Sequence, residues 1–351
     1  MFSQAGLTVG IIGGGGIASH HIRGYRQAGV PIAMVSDVQA DVAERRAAEL
    51  GCDWSTDYHA LLQRDDVQAV SICVPNWLHF EVAAAAVEAG KAVLCEKPMT
   101  TSLEQAEALV RAVRERGVFF QVAYMKRFHP VMRKFRELLP HVGQVEMGLL
   151  RCFQPFPDDL WTAPGFWFTD KRKAGGGPLV HGGSHMLDLL HWCLGDVEAV
   201  DARVHNKPGT DVDWHTSAIF EMANGSTILF ENGWFEHTNW GPKNDGWDEM
   251  FQLRGPGGIL TLTPTFWDRP TALVPSVELY LEQAHTRQTF ASGPVDYFVE
   301  EIKDFVLGCT HPPGSAAGEK PAVTVEDGYW VDRLIHTIYL SGERRERCRI
   351  V

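Results

Sequence analysis

A short charged motif, Glu96-Lys97-Pro98, directly follows an apolar segment that the pattern predicts to be a buried strand. That segment is Ala92-Val93-Leu94-Cys95, and the proline closes it. Open parallel sheets bind ligands at the carboxyl ends of their strands, so a lysine here is a candidate catalytic residue. It could hydrogen-bond a reacting oxygen, or act as a base if burial lowers its pKa. The alternative is an ordinary pair of surface charges at a strand end.

A glycine-rich loop, Gly13-Gly14-Gly15-Gly16, joins the first predicted strand to the first predicted helix. With Ala18 it satisfies the pattern G-x-G-x-x-A, in which the backbone turns tightly and approaches a pyrophosphate at a helix N-terminus. The next strand, Ile32-Ala33-Met34-Val35-Ser36, ends at Asp37. An acid there accepts hydrogen bonds from the adenosine ribose and repels a 2′-phosphate, whereas the alternative is a turn cap. The pattern therefore predicts NAD as cofactor and disfavours NADP.

Further cofactor contacts are expected where later strands of this half end. Asn76, which follows Pro75, can donate and accept hydrogen bonds toward a ribose or the nicotinamide. The predicted cofactor-binding residues are Gly13, Gly15, Gly16, Ile17, Ala18, Asp37, Pro75, Asn76, His79, Glu96, Lys97 and Arg127.

A second chemical motif lies in the segment 175–192, which begins with three glycines. If the segment is helical, His181, His185 and Asp188 fall at positions i, i+4 and i+7 and share one face. Two imidazoles and a carboxylate on one face suit a proton relay, a zinc site or a satisfied structural network. We predict the relay, with His185 and His181 catalytic and Asp188 behind them, and no metal.

Aromatic residues are frequent around this segment, and the chain has 11 tryptophans. The apolar face of a sugar stacks well on an aromatic ring, although each tryptophan could equally pack in a core or an interface. The predicted substrate-binding residues are Lys97, Trp161, Trp167, Lys173, His181, His185, Trp234 and His237.

The order of predicted elements divides the chain into two domains. Strands and helices alternate as far as about residue 125, which predicts a doubly wound parallel sheet. After Arg127 the pattern changes to a helix over 129–139 and a series of strands without intervening helices, which predicts an antiparallel sheet. Asn224-Gly225 joins two of these strands as a hairpin. The predicted domains are 1–126 and 127–351, and the last helix, about 325–341, is a candidate for packing back on the first domain.

Composition excludes several classes of protein. The chain has 351 residues, 45% of them hydrophobic, and a net charge of −12, which argues against a nucleic-acid partner. Seven scattered cysteines without a Cys-x-x-Cys pair fit a reducing compartment and oppose a cysteine zinc cluster. Because neither a targeting sequence nor a membrane-length apolar stretch is evident, we expect a cytoplasmic protein with no membrane contact.

The motifs together resemble the glucose-fructose oxidoreductase, inositol dehydrogenase and MocA family over nearly the whole chain. The resemblance rests on the glycine loop with Asp37, on Pro75-Asn76 with His79, on Glu96-Lys97-Pro98, and on the segment from Gly175 to Asp188. It implies an α/β fold, with an N-terminal Rossmann domain and a C-terminal α+β domain built on a large open antiparallel sheet. It also implies a lysine between the nicotinamide and the reacting carbon, a Lys97-Pro98 bond that is often cis, and a homodimer or homotetramer.

One position departs from the family pattern. Sugar dehydrogenases of the family typically carry an aspartate four residues before the histidine that matches His185, whereas this chain has His181. A carboxylate fixes one tautomer of an imidazole and stabilises its charged form, which a second imidazole does less well.

These observations predict an NAD-dependent dehydrogenase or reductase acting on a secondary alcohol or ketone of a sugar, cyclic polyol or sugar derivative. His185 is the expected base and Lys97 the hydrogen-bond donor to the same substrate oxygen, with the reverse assignment as the alternative. His181 supports a second hypothesis, an NAD-assisted enzyme that cleaves or eliminates a glycosidic bond with no net redox change. A regulatory protein that binds NAD and sugar without chemistry is a third.

Overall fold

The computed structural model describes residues 6–163, 165–236, 247–263, 275–311 and 323–350. The chain forms two compact units, Met1–Met125 with Tyr297–Asp332 and Lys126–Asp296 with Arg333–Val351. Among the described residues, no helix is long and apolar enough to cross a membrane.

The described residues of the first unit form a six-stranded parallel sheet of order β3-β2-β1-β4-β5-β6. The strands are β1 Val9–Ile12, β2 Ile32–Ser36, β3 Asp53–Ser55, β4 Ala69–Ile72, β5 Ala92–Cys95 and β6 Phe120–Val122. The helices are α1 Ala18–Ala28, α2 Ala40–Leu50, α3 Tyr58–Leu62, α4 His79–Glu88, α5 Leu103–Arg116 and α9 Tyr297–Thr310, and α10 Val325–Arg344 begins in this unit. The predicted doubly wound sheet is therefore confirmed.

Local signals explain where several of these helices begin and end. The Ser102 hydroxyl accepts a hydrogen bond from the Gln105 N–H at 3.3 Å and so caps α5. Gly51 and Gly117 end α2 and α5 with φ of +68° and +64°, a conformation that favours glycine. Helices α1 and α9 pack so closely that a side chain at Gly24 would overlap Ile302.

The described residues of the second unit form a nine-stranded sheet of order β14-β13-β12-β11-β7-β10-β9-β8-β15. The strands are β7 Met147–Pro155, β8 Val197–Asn206, β9 Asp213–Met222, β10 Thr227–Phe235, β11 Asp248–Gly255, β12 Gly258–Thr263, β13 Ser276–Leu281, β14 Thr286–Ala291 and β15 Cys348–Arg349. The helices are α6 Pro130–Leu138, α7 Lys171–Ala174 and α8 Ser184–Leu194.

Most neighbouring strands of this sheet are antiparallel, as predicted. Strands β7 and β10 run parallel to each other, so the sheet is mixed. The predicted hairpin joins β9 to β10, and Gly225 adopts a φ of +86° in its turn. Helix α6 packs on β12, β13 and β14, and α8 packs on β7.

Candidate active site

In the first unit, three predicted cofactor-binding segments lie at one edge of the parallel sheet. The glycine loop follows β1, Asn76 lies just beyond β4, and Glu96-Lys97 follows β5. Strands β1, β4 and β5 are direct neighbours, so these segments share the carboxyl edge. The strand order reverses between β1 and β4, which is where open α/β sheets bind dinucleotides.

The glycine loop has the geometry that a pyrophosphate requires. Gly13 adopts a φ of +93°, and a Cβ there would lie 2.5 Å from the carbonyl oxygen of Cys73. At Gly15 and Gly16, by contrast, no neighbouring heavy atom of the described residues lies within 4 Å of a Cβ position, so that side of the loop is open. Within the same described part of the chain, no side chain caps the N-terminus of α1. Open glycines before a helix N-terminus fit a bound dinucleotide.

Asp37 is held at the glycine loop by two backbone amides. Its Oδ2 accepts a hydrogen bond from the Gly14 N–H at 2.7 Å, and its Oδ1 accepts one from the Gln39 N–H at 2.9 Å. A carboxylate fixed in this way has lone pairs left for ribose hydroxyls. The arrangement fits NAD.

Arg46, which no sequence motif marks, braces the glycine loop from α2. Its Nε donates to the Gly14 carbonyl at 3.0 Å, and its Nη2 donates to the Ser19 hydroxyl at 2.7 Å. An arginine in the middle of an amphipathic helix carries no local signal that distinguishes this role from a solvated one.

Lys97 is half-buried, and its peptide bond to Pro98 is cis, as the family resemblance implies. Burial lowers the pKa of the Lys97 amine, and the negative charge of Glu96 partly opposes that change. A lysine with a lowered pKa exchanges a proton more readily near neutral pH than a solvated one does.

His79 lies between two backbone carbonyls. Its Nδ1 is 2.6 Å from the Pro98 oxygen and its Nε2 is 2.8 Å from the Val74 oxygen. Burial lowers the His79 pKa, although the two carbonyls act in the opposite direction. His79 therefore braces the loop that carries Lys97 against the end of β4. Its predicted contact with the cofactor stays a prediction.

In the second unit, the three glycines form a turn that is held by Asp213. The Asp213 carboxylate accepts hydrogen bonds from the Gly177 N–H at 2.7 Å, the Leu179 N–H at 3.1 Å and the Tyr339 hydroxyl at 2.6 Å. Burial raises the Asp213 pKa and these three donors oppose the rise. Side chains at Gly176 and Gly177 would overlap Tyr339 and the Asp213 backbone, so the turn requires glycine.

The turn leads into the segment that carries the two histidines. His181 lies in a π-helical turn, Leu179–Gly183, and His185 lies in the first turn of α8. The segment is helical, as the prediction assumed, although its first turn is π-helical and not α-helical. The shared face of His181, His185 and Asp188 stays a prediction. Both side chains are buried, at 8% and 6% exposure.

The ring of His181 is stacked against aromatic residues. It lies parallel to Phe168 with 4.1 Å between ring centroids, and its centroid is 5.3 Å from that of Trp234. Trp234 also stacks on Phe156 at 4.3 Å and meets the edge of Trp161. Trp161 and Trp234 thus belong to a buried aromatic cluster of the second unit.

The other predicted substrate-binding residues of this half are more exposed. Trp167 is partly buried, with its centroid 6.0 Å from that of His181. Lys173 is exposed, and its amine lies 3.8 Å from Asp170. His237 lies outside the described residues.

Asp188 is fully buried on α8 and forms an ion pair with Arg127. Both were predicted to serve the site in other ways, Asp188 by orienting His185 and Arg127 by binding cofactor, and those roles stay predictions. In the part of the chain that the structure describes, no group of three histidine, cysteine or acidic residues could hold a metal ion.

Comparisons with known proteins place the chain in a family. Residues 7–124 match the family described as an oxidoreductase family with an NAD-binding Rossmann fold, and residues 132–261 match the GFO/IDH/MocA C-terminal domain. The chain belongs to the GFO/IDH/MocA family. It is an NAD(P)-dependent oxidoreductase with an N-terminal NAD-binding Rossmann fold.

Relatives within the GFO/IDH/MocA family include named sugar dehydrogenases. D-glucoside 3-dehydrogenase of Escherichia coli strain K12 is 30% identical over 364 residues, covering 98% of this chain and 97% of that protein. Levoglucosan dehydrogenase of Pseudarthrobacter phenanthrenivorans is 29% identical over 212 residues, covering 56% of this chain and 53% of its own length. A solved levoglucosan dehydrogenase, in complex with NADH and levoglucosan, has a TM-score of 0.82 at 23% identity and covers 98% of this chain and 99% of that one. That structure supports the fold alone.

Proposed function

We propose that this protein is an NAD-dependent dehydrogenase or reductase that acts on a secondary alcohol or ketone of a sugar, cyclic polyol or sugar derivative. The observation that carries the proposal is the position of Lys97, whose pKa is lowered by burial, on the same sheet edge as the open glycine loop. The names of the relatives, which include glucoside, levoglucosan and inositol dehydrogenases, support a carbohydrate substrate.

The division of labour follows from the chemistry of alcohol oxidation. Bound NAD supplies the hydride acceptor, so the protein has to bind the substrate, move a proton and stabilise the oxygen as its charge changes. We assign proton removal to His185 and the hydrogen bond to the substrate oxygen to Lys97. A lysine with a lowered pKa stays able to donate that bond, and it can also accept the proton.

His181 and the aromatic residues around it support a role in positioning. His181 is stacked on Phe168 and faces Trp234, so its ring orientation is restricted by packing. We propose that it helps to set the orientation of His185, in the place where sugar dehydrogenases of the family carry an aspartate. Trp167, which is partly exposed beside His181, is the better candidate for stacking on a sugar ring than the buried Trp161 and Trp234.

The test is a substrate panel. Purified protein is incubated with NAD or NADP and with glucosides, levoglucosan, inositols and free sugars, while NADH formation and product composition are followed together. Stoichiometric NADH and a keto product with at least one carbohydrate support the proposal. Glycoside cleavage without accumulation of NADH would instead identify the redox-neutral enzyme. Tight NAD binding with no conversion of any substrate would identify a sensor.

We also propose that the protein associates with a second copy through the exposed face of the nine-stranded sheet. Met147, Ile219 and Leu229 are 54%, 44% and 50% exposed there. Ile219 pairs with Leu229 across β9 and β10, and the next row places Arg203 and Glu231 on either side of Ser217. Apolar residues flanked by both charges suit a self-complementary twofold contact.

The association is tested by light scattering after size-exclusion chromatography. Leu229→Lys is expected to shift the protein toward monomer, because it buries a charge in the contact. Leu307→Lys serves as control, since Leu307 is 54% exposed on α9, which belongs to the first unit. A wild-type monomer at all concentrations would contradict the proposal.

A further inference from the structure

A chain of buried polar side chains runs beneath the loop that carries Lys97. The Tyr25 hydroxyl lies 2.7 Å from the Ser71 hydroxyl, which lies 3.1 Å from Nδ1 of His21. Nε2 of His21 lies 3.1 Å from Oε1 of Glu96. Tyr25 and His21 belong to α1, Ser71 to β4, and Glu96 follows β5, so the chain connects three elements of the first unit.

Burying these four polar side chains costs folding free energy unless each of them has a hydrogen-bond partner. Tyr25, His21 and Ser71 have no exposed surface, and Glu96 is 7% exposed. Burial alone would raise the Glu96 pKa, but the hydrogen bond from His21 and the positive charge of Lys97 oppose the rise, and the Glu96 pKa is lowered. Four polar groups in a core are maintained against an apolar alternative when their arrangement has a use.

Each hydrogen-bond donor in this series of four side chains can be matched to an acceptor. Tyr25 keeps its proton because burial raises its pKa well above the ordinary value, although the Ser71 hydrogen bond acts against the rise. It can then donate to Ser71, Ser71 to Nδ1 of His21, and Nε2–H of His21 to Glu96. This direction ends on the carboxylate and leaves Glu96 ionised with one oxygen occupied.

The other oxygen of Glu96 reaches the catalytic loop. Oε2 accepts a hydrogen bond from the Lys97 backbone N–H at 3.1 Å. Glu96 therefore uses one oxygen for His21 and the other for the Lys97 backbone. Glu96 thereby fixes the direction in which the Lys97 main chain leaves β5. Its negative charge also favours the protonated form of the Lys97 amine.

We propose that His21 is a positioning residue for Lys97, which it orients through Glu96. His21 lies one turn into the helix that follows the glycine loop, so the same helix that faces the cofactor phosphates also aligns the catalytic lysine. The kinetic part of this proposal rests on the proposed function, whereas the structural part concerns the state of the Lys97 amine in the free protein.

The first experiment measures the Lys97 amine directly, without substrate. Full-length protein is labelled with trace acetic anhydride at a series of pH values, and the extent of Lys97 acetylation is followed by peptide mass spectrometry. In Glu96→Gln the charge that favours the ammonium is removed, so the labelling midpoint is expected at lower pH than in the wild type. His21→Phe, which leaves Glu96 without its buried donor, is expected to move the midpoint in the same direction.

A matched control lies at the other end of the same strand. The Lys91 amine donates to the carbonyls of Arg64 and Val67 at 2.7 Å each, just before β5. Lys91→Met removes these two partly buried hydrogen bonds next to the start of β5 and leaves the Glu96 side chain unchanged. It is expected to lower the melting temperature while leaving the Lys97 midpoint unchanged. His21→Gln, which retains an N–H donor, is expected to restore much of the wild-type midpoint.

The outcomes separate positioning from simple stability. A folded His21→Phe protein with a wild-type Lys97 midpoint overturns the proposal, as does a midpoint that moves equally in Lys91→Met. A labelling midpoint at higher pH in His21→Phe means that the Glu96 carboxylate has turned toward the Lys97 amine. That result also supports the proposal, because it shows that His21 sets the orientation of Glu96 in the wild type. If His21→Phe does not fold, Ser71→Ala is measured, and an unchanged midpoint there overturns the proposal.

The second experiment is kinetic and uses a substrate found in the panel. His21→Phe is expected to lower kcat by about ten- to a hundredfold, as a small misplacement of a catalytic group does, with NADH affinity by fluorescence unchanged. A wild-type kcat contradicts the positioning role. If no substrate is found, the proposed function fails but the labelling experiment still decides the role of His21.

Discussion

The guanidinium of Arg127 binds both carboxylate oxygens of Asp188, with Nε 2.8 Å from Oδ2 and Nη2 2.5 Å from Oδ1. The two side chains are 3% and 0% exposed, and the ring of Trp192 lies 5.8 Å from the guanidinium. This two-point geometry holds both groups in fixed orientations. Asp188, which lies within one helical turn of His185, thus anchors α8 to the start of the second unit.

Replacement of Asp188 by Asn is expected to destabilise the protein strongly. It leaves the buried Arg127 charge without its counter-charge, a change that typically costs about 3–5 kcal/mol. The free energy of unfolding in urea measures the effect. Glu300→Gln is the control, because its pair with Lys303 at 2.7 Å is about half exposed, and such pairs contribute about 0–1 kcal/mol. Equal losses in both variants would contradict the prediction.

Much of the fold could be predicted because local patterns agreed with it. Alternating strands and helices, the Ser102 cap and the Asn224-Gly225 hairpin all have short-range causes. Strands β3, β14 and β15, which lie at sheet edges, have the weakest signals in the sequence. Strand β3 has three residues and β15 has two, too few for a period of two to show.

The candidate site was harder to predict where it depends on distant partners. The three glycines drew attention, but their partners Asp213 and Tyr339 lie 36 and more than 100 residues further on. The same holds for His21, whose partners Ser71 and Glu96 are 50 and 75 residues away. Such contacts are set by the tertiary fold, and no spacing in one sequence identifies them. The π-turn at His181 likewise has no period that distinguishes it from an α-helix.

Gly177→Ala is expected to disturb the turn before His181. The new methyl group would overlap the carbonyl oxygen of Asp213, and backbone cannot move aside cheaply. Overpacking of this kind costs about 1–3 kcal/mol, and the displaced turn should also reduce activity. Thermal unfolding and kcat measure both effects. Gly293→Ala is the control, since no neighbouring heavy atom that the structure describes lies within 4 Å of its Cβ position, and a similar loss there would exclude the steric explanation.

Lys97→Met is expected to reduce turnover far more than cofactor affinity. The substitution removes the amine but retains a long side chain in a half-buried place. Loss of a general acid–base group typically lowers kcat by about a hundred- to ten-thousandfold, whereas the glycine loop and Asp37 are untouched. Steady-state kinetics and NADH fluorescence titration separate the two quantities. Unchanged turnover would refute the assignment of Lys97.

Asp37→Ser is expected to relax the preference for NAD over NADP. The serine replaces a carboxylate whose negative charge repels a 2′-phosphate. In the wild type the oxygens of that carboxylate accept hydrogen bonds from the Gly14 and Gln39 N–H groups. The ratio of kcat/KM for the two cofactors measures the change, which should come mainly from a weaker NAD interaction. Asp41→Ser, at the start of α2, is the matched control and should keep the wild-type ratio. The same ratio in both variants would remove Asp37 from cofactor selection.

Asp332 is expected to make the protein less stable as pH rises toward neutrality. Burial raises the Asp332 pKa from 3.8 to about 7, while the Thr100 N–H and hydroxyl, each 2.9 Å from Oδ2, oppose the rise. Between those two values the folded state retains a proton that the unfolded state has lost, so the free energy of unfolding falls with increasing pH. Asp332→Asn mimics the protonated carboxyl and should lack this loss, with a gain over the wild type that grows to an upper limit of about 4 kcal/mol above the folded pKa. Urea unfolding across this pH range measures the difference.

The control is Glu221→Gln, because Arg347 lowers the Glu221 pKa and the difference in unfolding free energy there should have the opposite sign. A pH-independent difference between the wild type and Asp332→Asn would show that the buried carboxyl keeps an ordinary pKa.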